Sequence, residues 1–171
     1  MAGPRKAEIH KQARLFDDLF KIDEVTVSYQ RFDGTMTPDE RRLIFERGDS
    51  VAVLLYNPDT QEVVTVDQFK VPSLIARRRD DPATTDGWIT ETIAGTIAGN
   101  DTPEEAISRE TLEETGYRIK NPELIAKFFS SPGGTSERVF LYFGRGCRCR
   151  SRRQGRRCRR RRRQGGAPQR A

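Results

Sequence analysis

Cysteine is absent from most of this 171-residue sequence, because Cys147, Cys149 and Cys158 all follow residue 146. No disulfide framework can span the preceding residues, and a reducing, cytoplasmic environment fits this composition. Long apolar runs are also missing, so no segment approaches the length of a membrane span and the N-terminus lacks the apolar core of a signal peptide. The sequence therefore predicts a cytoplasmic globular protein with no membrane partner.

Negative charge is missing from the end of the chain. Residues 145–171 contain thirteen arginines and no Asp, Glu or Lys, whereas residues 1–144 carry 18 basic and 25 acidic side chains. The formal net charge of +6 is therefore the sum of an acidic domain and a strongly basic tail. Because the tail has no aromatic residue and no aliphatic residue beyond alanine, we predict that it is disordered and adds no strand or helix.

Residues 91–117, ETIAGTIAGNDTPEEAISRETLEETGY, carry a cluster of carboxylates on a predicted helix. Thr102 is a suitable N-cap, Pro103 suits the first helical position, and Glu105 completes a capping box. Gly116 is the expected C-terminal stop. The sequence thus predicts a helix that begins after Thr102 and ends before Gly116.

Glu110, Glu113 and Glu114 fall at i, i+3 and i+4 on this helix, so their side chains are expected on one face. Like charges at this spacing repel one another, with only Arg109 nearby at the flank, and a bound divalent cation would relieve the repulsion. Oxygen ligands without His or Cys favour Mg²⁺, with Mn²⁺ possible. The same residues are also typical of a solvated helix face, with Glu105 and Arg109 as an i,i+4 ion pair.

The wider pattern favours the first interpretation, because it resembles the Nudix box, G-x5-E-x7-R-E-U-x-E-E-x-G-U with U apolar. In this sequence the box runs Gly95, Asp101, Arg109, Glu110, Thr111, Glu113, Glu114, Gly116 and Tyr117. Two positions depart from the pattern, because Asp101 replaces the first Glu and Thr111 replaces an aliphatic residue. Neither change touches the three helix glutamates.

The resemblance implies a metal-dependent mechanism. Glu110, Glu113 and Glu114, together with the carbonyl oxygen of Ala94, would hold two or more Mg²⁺ ions against a pyrophosphate. Such ions neutralise phosphate charge and activate a water for attack on phosphorus. Arg109 would orient the glutamates, so the implied catalytic residues are Arg109 and these three glutamates.

Four further segments resemble the subgroup of ADP-ribose pyrophosphatases and related nucleoside-diphosphate-sugar hydrolases. They are residues 44–48, 67–70 and 94–95 and, most specifically, SPGGTSER at 131–138. The resemblance implies hydrolysis of ADP-ribose to AMP and ribose 5-phosphate, with GDP-mannose as the alternative substrate. It also implies a homodimer in which early strands exchange between subunits. The implied substrate contacts are Glu46, Arg47, Lys70, Gly133 and Glu137; Lys70 stands where the family usually has an arginine.

The implied fold is α+β: the Nudix fold, with a mixed β-sheet sandwiched between helices, an N-terminal antiparallel β-hairpin subdomain and the C-terminal helix missing. We predict a disordered N-terminus over residues 1–14, followed by a β subdomain for dimerisation and substrate contacts over residues 15–48. A truncated catalytic domain would cover residues 49–144, and the Arg-rich tail would follow at 145–171.

Three local patterns add detail. The alternation of apolar and polar residues at 25–30 predicts a half-buried strand. The continuous apolar run at 51–56 predicts a strand covered on both faces. Residues 73–87 show neither period and are predicted to form a surface loop.

No Asp or Glu follows Glu137, although the family normally has a late catalytic glutamate and a closing helix in this region. One hypothesis is that residues 145–171 are an out-of-frame reading of a GC-rich gene. The alternative to an active pyrophosphatase is an impaired or inactive Nudix protein, whose Arg-rich tail binds nucleic acid and other polyanions non-specifically.

Overall fold

Three antiparallel strands begin the fold in the computed structural model, which describes residues 5–76, 86–148 and 158–161. They are β1 (Ala7–Asp17), β2 (Lys21–Tyr29) and β3 (Glu40–Glu46), with β2 in the centre. This sheet belongs to a unit that consists of the described residues up to Asp49 together with Phe128–Val139. The predicted antiparallel pairing is confirmed for β2 and β3, whereas β1 is a third strand that the sequence did not predict.

The prediction of a disordered N-terminus over residues 1–14 is wrong for residues 7–14, which lie in β1. Nearly every side chain of β1 is exposed, so no apolar alternation marks the strand in the sequence. Its stability comes from pairing with β2 along its length and from an ion pair between Arg14 and Asp23. The hydrogen bond from Arg14 lowers the pKa of Asp23.

The larger sheet has seven strands and is mixed. Its strands are β4 (Ser50–Asn57), β5 (Glu62–Phe69), β6 (Trp88–Glu91), β7 (Ile93–Thr96), β8 (Tyr117–Phe129), β9 (Arg138–Arg148) and β10 (Cys158–Arg161). The order is β10-β5-β4-β9-β8, with β6 paired to β5 and β7 paired to β4. Most of the sheet belongs to a second unit, which consists of Ser50–Lys127 and the described residues from Phe140 onward.

One face of this sheet carries the hydrophobic core. In β4 the side chains of Val51, Val53 and Leu55 are fully buried, whereas Leu54, which points to the opposite face, is 38% exposed. The prediction that this strand is covered on both faces is therefore wrong. An apolar run does not show how many faces will be covered, because cover depends on elements elsewhere in the chain. The core side chains of this unit are Val51, Val53, Leu55, Val64, Val66, Ile93, Ala106, Ile107, Tyr117 and Tyr142.

A short helix, α1 (Val71–Ala76), follows β5 after the single residue Lys70. The prediction of a loop from residue 73 is therefore wrong for residues 73–76, and residues 77–85 lie outside the described part of the chain. Pro72 is compatible with this helix because the first turn does not need its missing N–H. The N–H of Leu74 donates to the carbonyl oxygen of Lys70 at 3.2 Å and closes the first turn.

The second helix, α2 (Pro103–Thr115), has the limits that the sequence predicts. The Thr102 hydroxyl accepts a hydrogen bond from the Glu105 N–H, and the Glu105 carboxylate accepts one from the Thr102 N–H. At the other end Gly116 has a φ of 70°, and its N–H donates to the carbonyl oxygen of Leu112. Glycine reaches this left-handed conformation without the steric cost of a Cβ, which is why the helix ends here.

Thr102→Ala is expected to lower the free energy of unfolding by about 1 kcal/mol, because it removes the N-cap acceptor. Urea denaturation followed by circular dichroism measures the change. Ser108→Ala is the matched control on the same helix, since the Ser108 hydroxyl bonds only to the exposed carbonyl oxygen of Glu104 among the described residues. Equal denaturation midpoints for Thr102→Ala and the wild type would show that the cap does not stabilise the helix.

Two segments of the Arg-rich tail form strands. Residues 145–148 continue β9, and β10 pairs antiparallel with β5, so the prediction that the tail adds no strand is wrong for residues 145–148 and 158–161. Strand pairing uses backbone N–H and C=O groups, which arginine supplies as well as any apolar residue does. The predicted disorder of residues 149–157 and 162–171 falls outside the described residues. Among the described residues, no helix follows β9. No helix in the same residues is long and apolar enough to cross a membrane.

Candidate active site

The three glutamates of α2 have different surroundings. Glu114 is buried, with 8% of its surface exposed, and the Glu110 side chain is 16% exposed. The Glu113 side chain is 60% exposed. The i, i+3 and i+4 spacing therefore places two carboxylates against the sheet and leaves the third at the solvent boundary.

Arg109 lies among the acids rather than beside them. Its guanidinium contacts Glu110 at 2.8 Å, Asp101 at 3.4 Å and Glu113 at 3.6 Å. The hydrogen bond to Glu110 is the main reason that the pKa of Arg109 is raised. Glu105, the alternative ion-pair partner, instead hydrogen-bonds to the N-cap. Repulsion between the acids is thus relieved in part by Arg109, which sequence reasoning placed only at the flank.

Gly95 of β7 lets Glu110 approach the sheet. A Cβ at residue 95 would overlap the Glu110 carboxyl group, so any larger residue here would displace that side chain from the strand. The Glu110 carboxylate therefore lies against the β7 backbone, next to Ala94. This close contact brings together the first glycine and the first helix glutamate of the sequence motif, which are fifteen residues apart.

Glu114 contacts the sheet through a residue to which sequence reasoning assigned no individual role. The side-chain amide of Gln68, on β5, donates a hydrogen bond of 2.5 Å to Glu114 Oε1. Gln68 lies within the segment 67–70 that resembles the pyrophosphatase subgroup, and this was the only signal for it in the sequence. The hydrogen bond connects α2 to a strand more than forty residues earlier.

The donor atoms suit a hard divalent cation, because they are carboxylate oxygens. The contact of Glu110 with Gly95 supports this fit, since it places a largely buried carboxylate against backbone next to Ala94. Within the described residues, however, no group of three or more His, Cys, Asp or Glu side chains is already arranged to hold a metal ion. The structure brings Glu110 and Glu113 together through Arg109, and it joins Glu114 to Gln68.

Lys70, immediately after β5, forms an ion pair with Glu91 of β6. Lys70 Nζ lies 2.8 Å from Glu91 Oε1, and the Lys70 side chain is 41% exposed. A half-exposed ammonium group remains accessible to an anion in solution. Its partner Glu91 is the last residue of β6, and only Thr92 separates it from β7, the strand that carries Ala94 and Gly95.

The other predicted substrate contacts lie together in the first unit. Arg47 Nε is 3.5 Å from Glu137 Oε1, and the Ser136 hydroxyl donates to Glu46. The loop that contains Gly133 joins β3 through the Phe45 N–H, which donates to the carbonyl oxygen of Gly134. Gly133 also lines a cavity of about 570 Å³, whose apolar walls include Val27, Leu43, Ile44 and Phe129.

Glu46 is expected to make stability depend on pH. Hydrogen bonds from the Ser136 hydroxyl and the Gly48 N–H lower its pKa. A carboxylate with a lowered pKa stabilises the fold above its unfolded pKa of about 4.3, and this contribution is lost as the pH falls through the folded value. Ser136→Ala should therefore raise the pKa of Glu46 and lower the melting temperature at pH 7, with the difference disappearing in acid.

Carboxyl-carbon NMR titration and thermal unfolding from pH 3 to 7 measure these effects. Ser130→Ala is the control, because the Ser130 hydroxyl donates to Glu137 instead, and it should leave the Glu46 titration unchanged. A Glu46 pKa that is the same in Ser136→Ala and the wild type would contradict the prediction.

Comparison with known families agrees with this geometry. The NUDIX domain family model matches residues 46–157, which is more than half of the chain. The chain therefore belongs to the NUDIX domain family, and the family and fold predicted from the sequence are confirmed.

Individual relatives show which members of the family this chain resembles. The chain is 32% identical over 142 residues to the ADP-ribose pyrophosphatase of Escherichia coli strain K12, covering 83% of this chain and 65% of the relative. It is 34% identical over 135 residues to the GDP-mannose pyrophosphatase of Cronobacter sakazakii, covering 79% of this chain and 66% of that protein. The chain thus spans slightly less than two thirds of the length of these relatives. Among solved structures, an ADP compounds hydrolase has a TM-score of 0.63 at 14% identity, covering 94% of this chain and 80% of that one, which shows a shared fold.

Proposed function

We propose that this protein hydrolyses the pyrophosphate bond of a nucleoside diphosphate sugar in a reaction that depends on Mg²⁺. ADP-ribose, cut to AMP and ribose 5-phosphate, is the first candidate substrate. The observation that carries the proposal is the placement of Glu110 and Glu114, two largely buried carboxylates on one helix, against the sheet beside Gly95 and Gln68. The curated relatives named ADP-ribose pyrophosphatase support the choice of substrate.

Within this proposal, Glu110, Glu113, Glu114 and the carbonyl oxygen of Ala94 would hold Mg²⁺ or Mn²⁺. The bound ions would supply charge neutralisation at the phosphates and an activated water. The residues of the chain do the positioning. Arg109 restrains Glu110 and Glu113 by ion pairs, and Gly95 leaves room for the Glu110 carboxyl group beside β7.

Substrate contacts are proposed for Lys70 and for the group around the 131–138 loop. The half-exposed Lys70 would bind a phosphate as a point charge, without the two-pronged geometry of arginine. Arg47 and Glu137 are already paired, so their hydrogen-bonding groups are held in place before a ligand arrives. Glu46, fixed by Ser136, and the backbone at Gly133 would complete the contacts.

The direct test is to incubate the purified chain with ADP-ribose, GDP-mannose and other nucleoside diphosphate sugars, and to follow the products by ³¹P NMR. We expect Mg²⁺-dependent formation of AMP from ADP-ribose, which stops when EDTA is added. Failure to hydrolyse any of these compounds with either Mg²⁺ or Mn²⁺ would contradict the proposed function.

GDP-mannose is the second candidate, because curated relatives at 34% identity carry the name GDP-mannose pyrophosphatase. The ratio of kcat/KM for GDP-mannose to that for ADP-ribose decides between them. The alternative of an impaired protein finds no support in these relatives, which are named for their pyrophosphatase activities. Polyanion binding by the Arg-rich tail stays a prediction, and its test is retention on heparin that weakens steeply with salt.

We also propose a homodimer. Large apolar side chains are exposed in the first unit, with Phe32 at 91%, Leu19 at 82% and Ile9 at 66%, and a second chain that covered them would remove this apolar surface from water. Light scattering coupled to size-exclusion chromatography should give twice the 19.5 kDa mass of the chain. A cytoplasmic location is proposed with it, because the cysteines are confined to the region after residue 146.

A further inference from the structure

We infer that Gln68 is a positioning residue, which fixes the Glu114 carboxylate so that it can bind a divalent cation. The inference rests on the proposed function, because it gives Glu114 the role of a metal ligand. Its basis is the hydrogen bond of 2.5 Å from the Gln68 amide to Glu114 Oε1. Nothing in the sequence motif on α2 includes Gln68, which lies on a different element of the fold.

The strand geometry explains how Gln68 reaches the helix. Side chains alternate between the two faces of a strand, so Gln68 shares a face with Val64 and Val66. Both valines are buried in the core that includes Ala106 and Ile107 of α2. Gln68 is therefore the next residue on the buried face of β5. At this position an apolar side chain would face the Glu114 carboxylate and could not donate a hydrogen bond to it.

The chemistry of an amide suits this task. Burying a carboxylate without a hydrogen-bond donor is costly, and a donor amide lowers this cost while leaving the negative charge in place. Glu110 is held differently, because Arg109 contacts it with a full positive charge. At Glu114 Oε1 the donor is instead a neutral amide, which fixes the position of this oxygen without supplying a charge.

The strand also fixes the amide itself. Gln68 lies in the ladder between β5 and β6, where it is the partner of Ile89. Its backbone is held by sheet pairing, so only the side-chain torsions remain to be ordered by the contact with Glu114. Partners of this kind, which hold a ligand without touching the metal, typically change metal affinity by about 10- to 100-fold when they are removed.

Gln68→Met tests the inference, because methionine keeps the length and flexibility of glutamine but cannot donate. Titration of the full chain with MnCl₂, followed by the EPR signal of free Mn²⁺, should show affinity about tenfold weaker than that of the wild type. Gln68→Asn, which keeps the amide but shortens its reach, should show the same loss if the methionine variant does not fold. Wild-type Mn²⁺ affinity in a folded Gln68 variant would overturn the inference.

Thr90→Val is the matched control. It removes the neighbouring hydrogen bond between β6 and β5, from the Thr90 hydroxyl to Asp67 at 2.7 Å, and it changes nothing at Glu114. We expect its Mn²⁺ affinity to equal that of the wild type. A loss equal to that of Gln68→Met would show that general weakening of the strand pair, rather than the amide, causes the effect, and this would also overturn the inference.

A double-mutant cycle distinguishes positioning from an independent effect. If Gln68 acts through Glu114, then Gln68→Met should cause no further loss of Mn²⁺ affinity once Glu114→Gln is present. Losses that add in the double variant would overturn the inference and leave the proposed function intact. Glu114→Gln with wild-type Mn²⁺ affinity is a separate outcome, because it would refute the role of Glu114 as a metal ligand in the proposed function and the inference with it.

Discussion

Glu114→Gln is expected to reduce Mg²⁺-dependent hydrolysis of ADP-ribose by about 100-fold or more. The substitution removes one negative charge at a buried position while keeping the volume of the side chain. The loss of several kcal/mol of transition-state stabilisation corresponds to at least two powers of ten in rate. The side-chain amide introduced by the substitution can turn its oxygen toward Gln68, so the hydrogen bond between α2 and β5 is retained and the fold is expected to survive.

The measurement is kcat at saturating Mg²⁺, with circular dichroism to confirm that the variant is folded. Glu104→Gln is the matched control on the same helix. The Glu104 carboxylate accepts a hydrogen bond from the Tyr142 hydroxyl at 2.8 Å and is not one of the proposed ligands. We expect Glu104→Gln to keep kcat within about twofold of the wild type. Undiminished kcat in Glu114→Gln would exclude Glu114 as a ligand of the catalytic metal.

Gly95→Ala is expected to have the second-largest effect, because the added Cβ would overlap the Glu110 carboxyl group. The overlapping atoms are the far end of a flexible side chain, so Glu110 is expected to leave the strand while β7 keeps its place, at a small cost in stability. Because the displaced group is a proposed metal ligand, we also expect Mn²⁺ affinity and kcat/KM to fall by about tenfold or more.

Gly99→Ala separates this steric effect from the general effect of replacing a glycine. Gly99 has a φ of 56°, and a Cβ there would meet no atom within 4 Å. The substitution should cost about 1 kcal/mol through backbone strain alone and leave Mn²⁺ affinity unchanged. Isothermal titration of both variants with Mn²⁺ makes the comparison. Equal affinities for Gly95→Ala and Gly99→Ala would show that the contact with Glu110 is not required for metal binding.

The sequence predicted α2 well because its limits depend on local chemistry. Thr102 and Gly116 form hydrogen bonds within their own helix, so their effect on the ends of the helix does not depend on the rest of the fold. Prediction was poorest for strands whose sequence carries no apolar alternation. β1 is exposed along its length and β10 is rich in arginine, so neither shows the apolar alternation on which strand prediction depends.

The candidate site likewise has some features that local sequence predicts and others that depend on tertiary contacts. Residue types and spacing in the sequence were enough to identify the family and to select Arg109, Glu110, Glu113 and Glu114. They could not show that Arg109 lies among the acids, since its contact with Asp101 depends on the path of the loop before the helix. The role of Gln68 was also hidden, because its contact with Glu114 joins residues that are 46 positions apart.

Local sequence thus specified one helix, its ends and the acidic side chains that it carries. Tertiary packing decided which of those side chains are buried, because burial depends on the strands that lie opposite each turn of the helix. Gly95 and Gln68 set the surroundings of Glu110 and Glu114, whereas no comparable contact covers Glu113 among the described residues. Three glutamates that are equivalent by helical spacing therefore become two buried carboxylates and one exposed one.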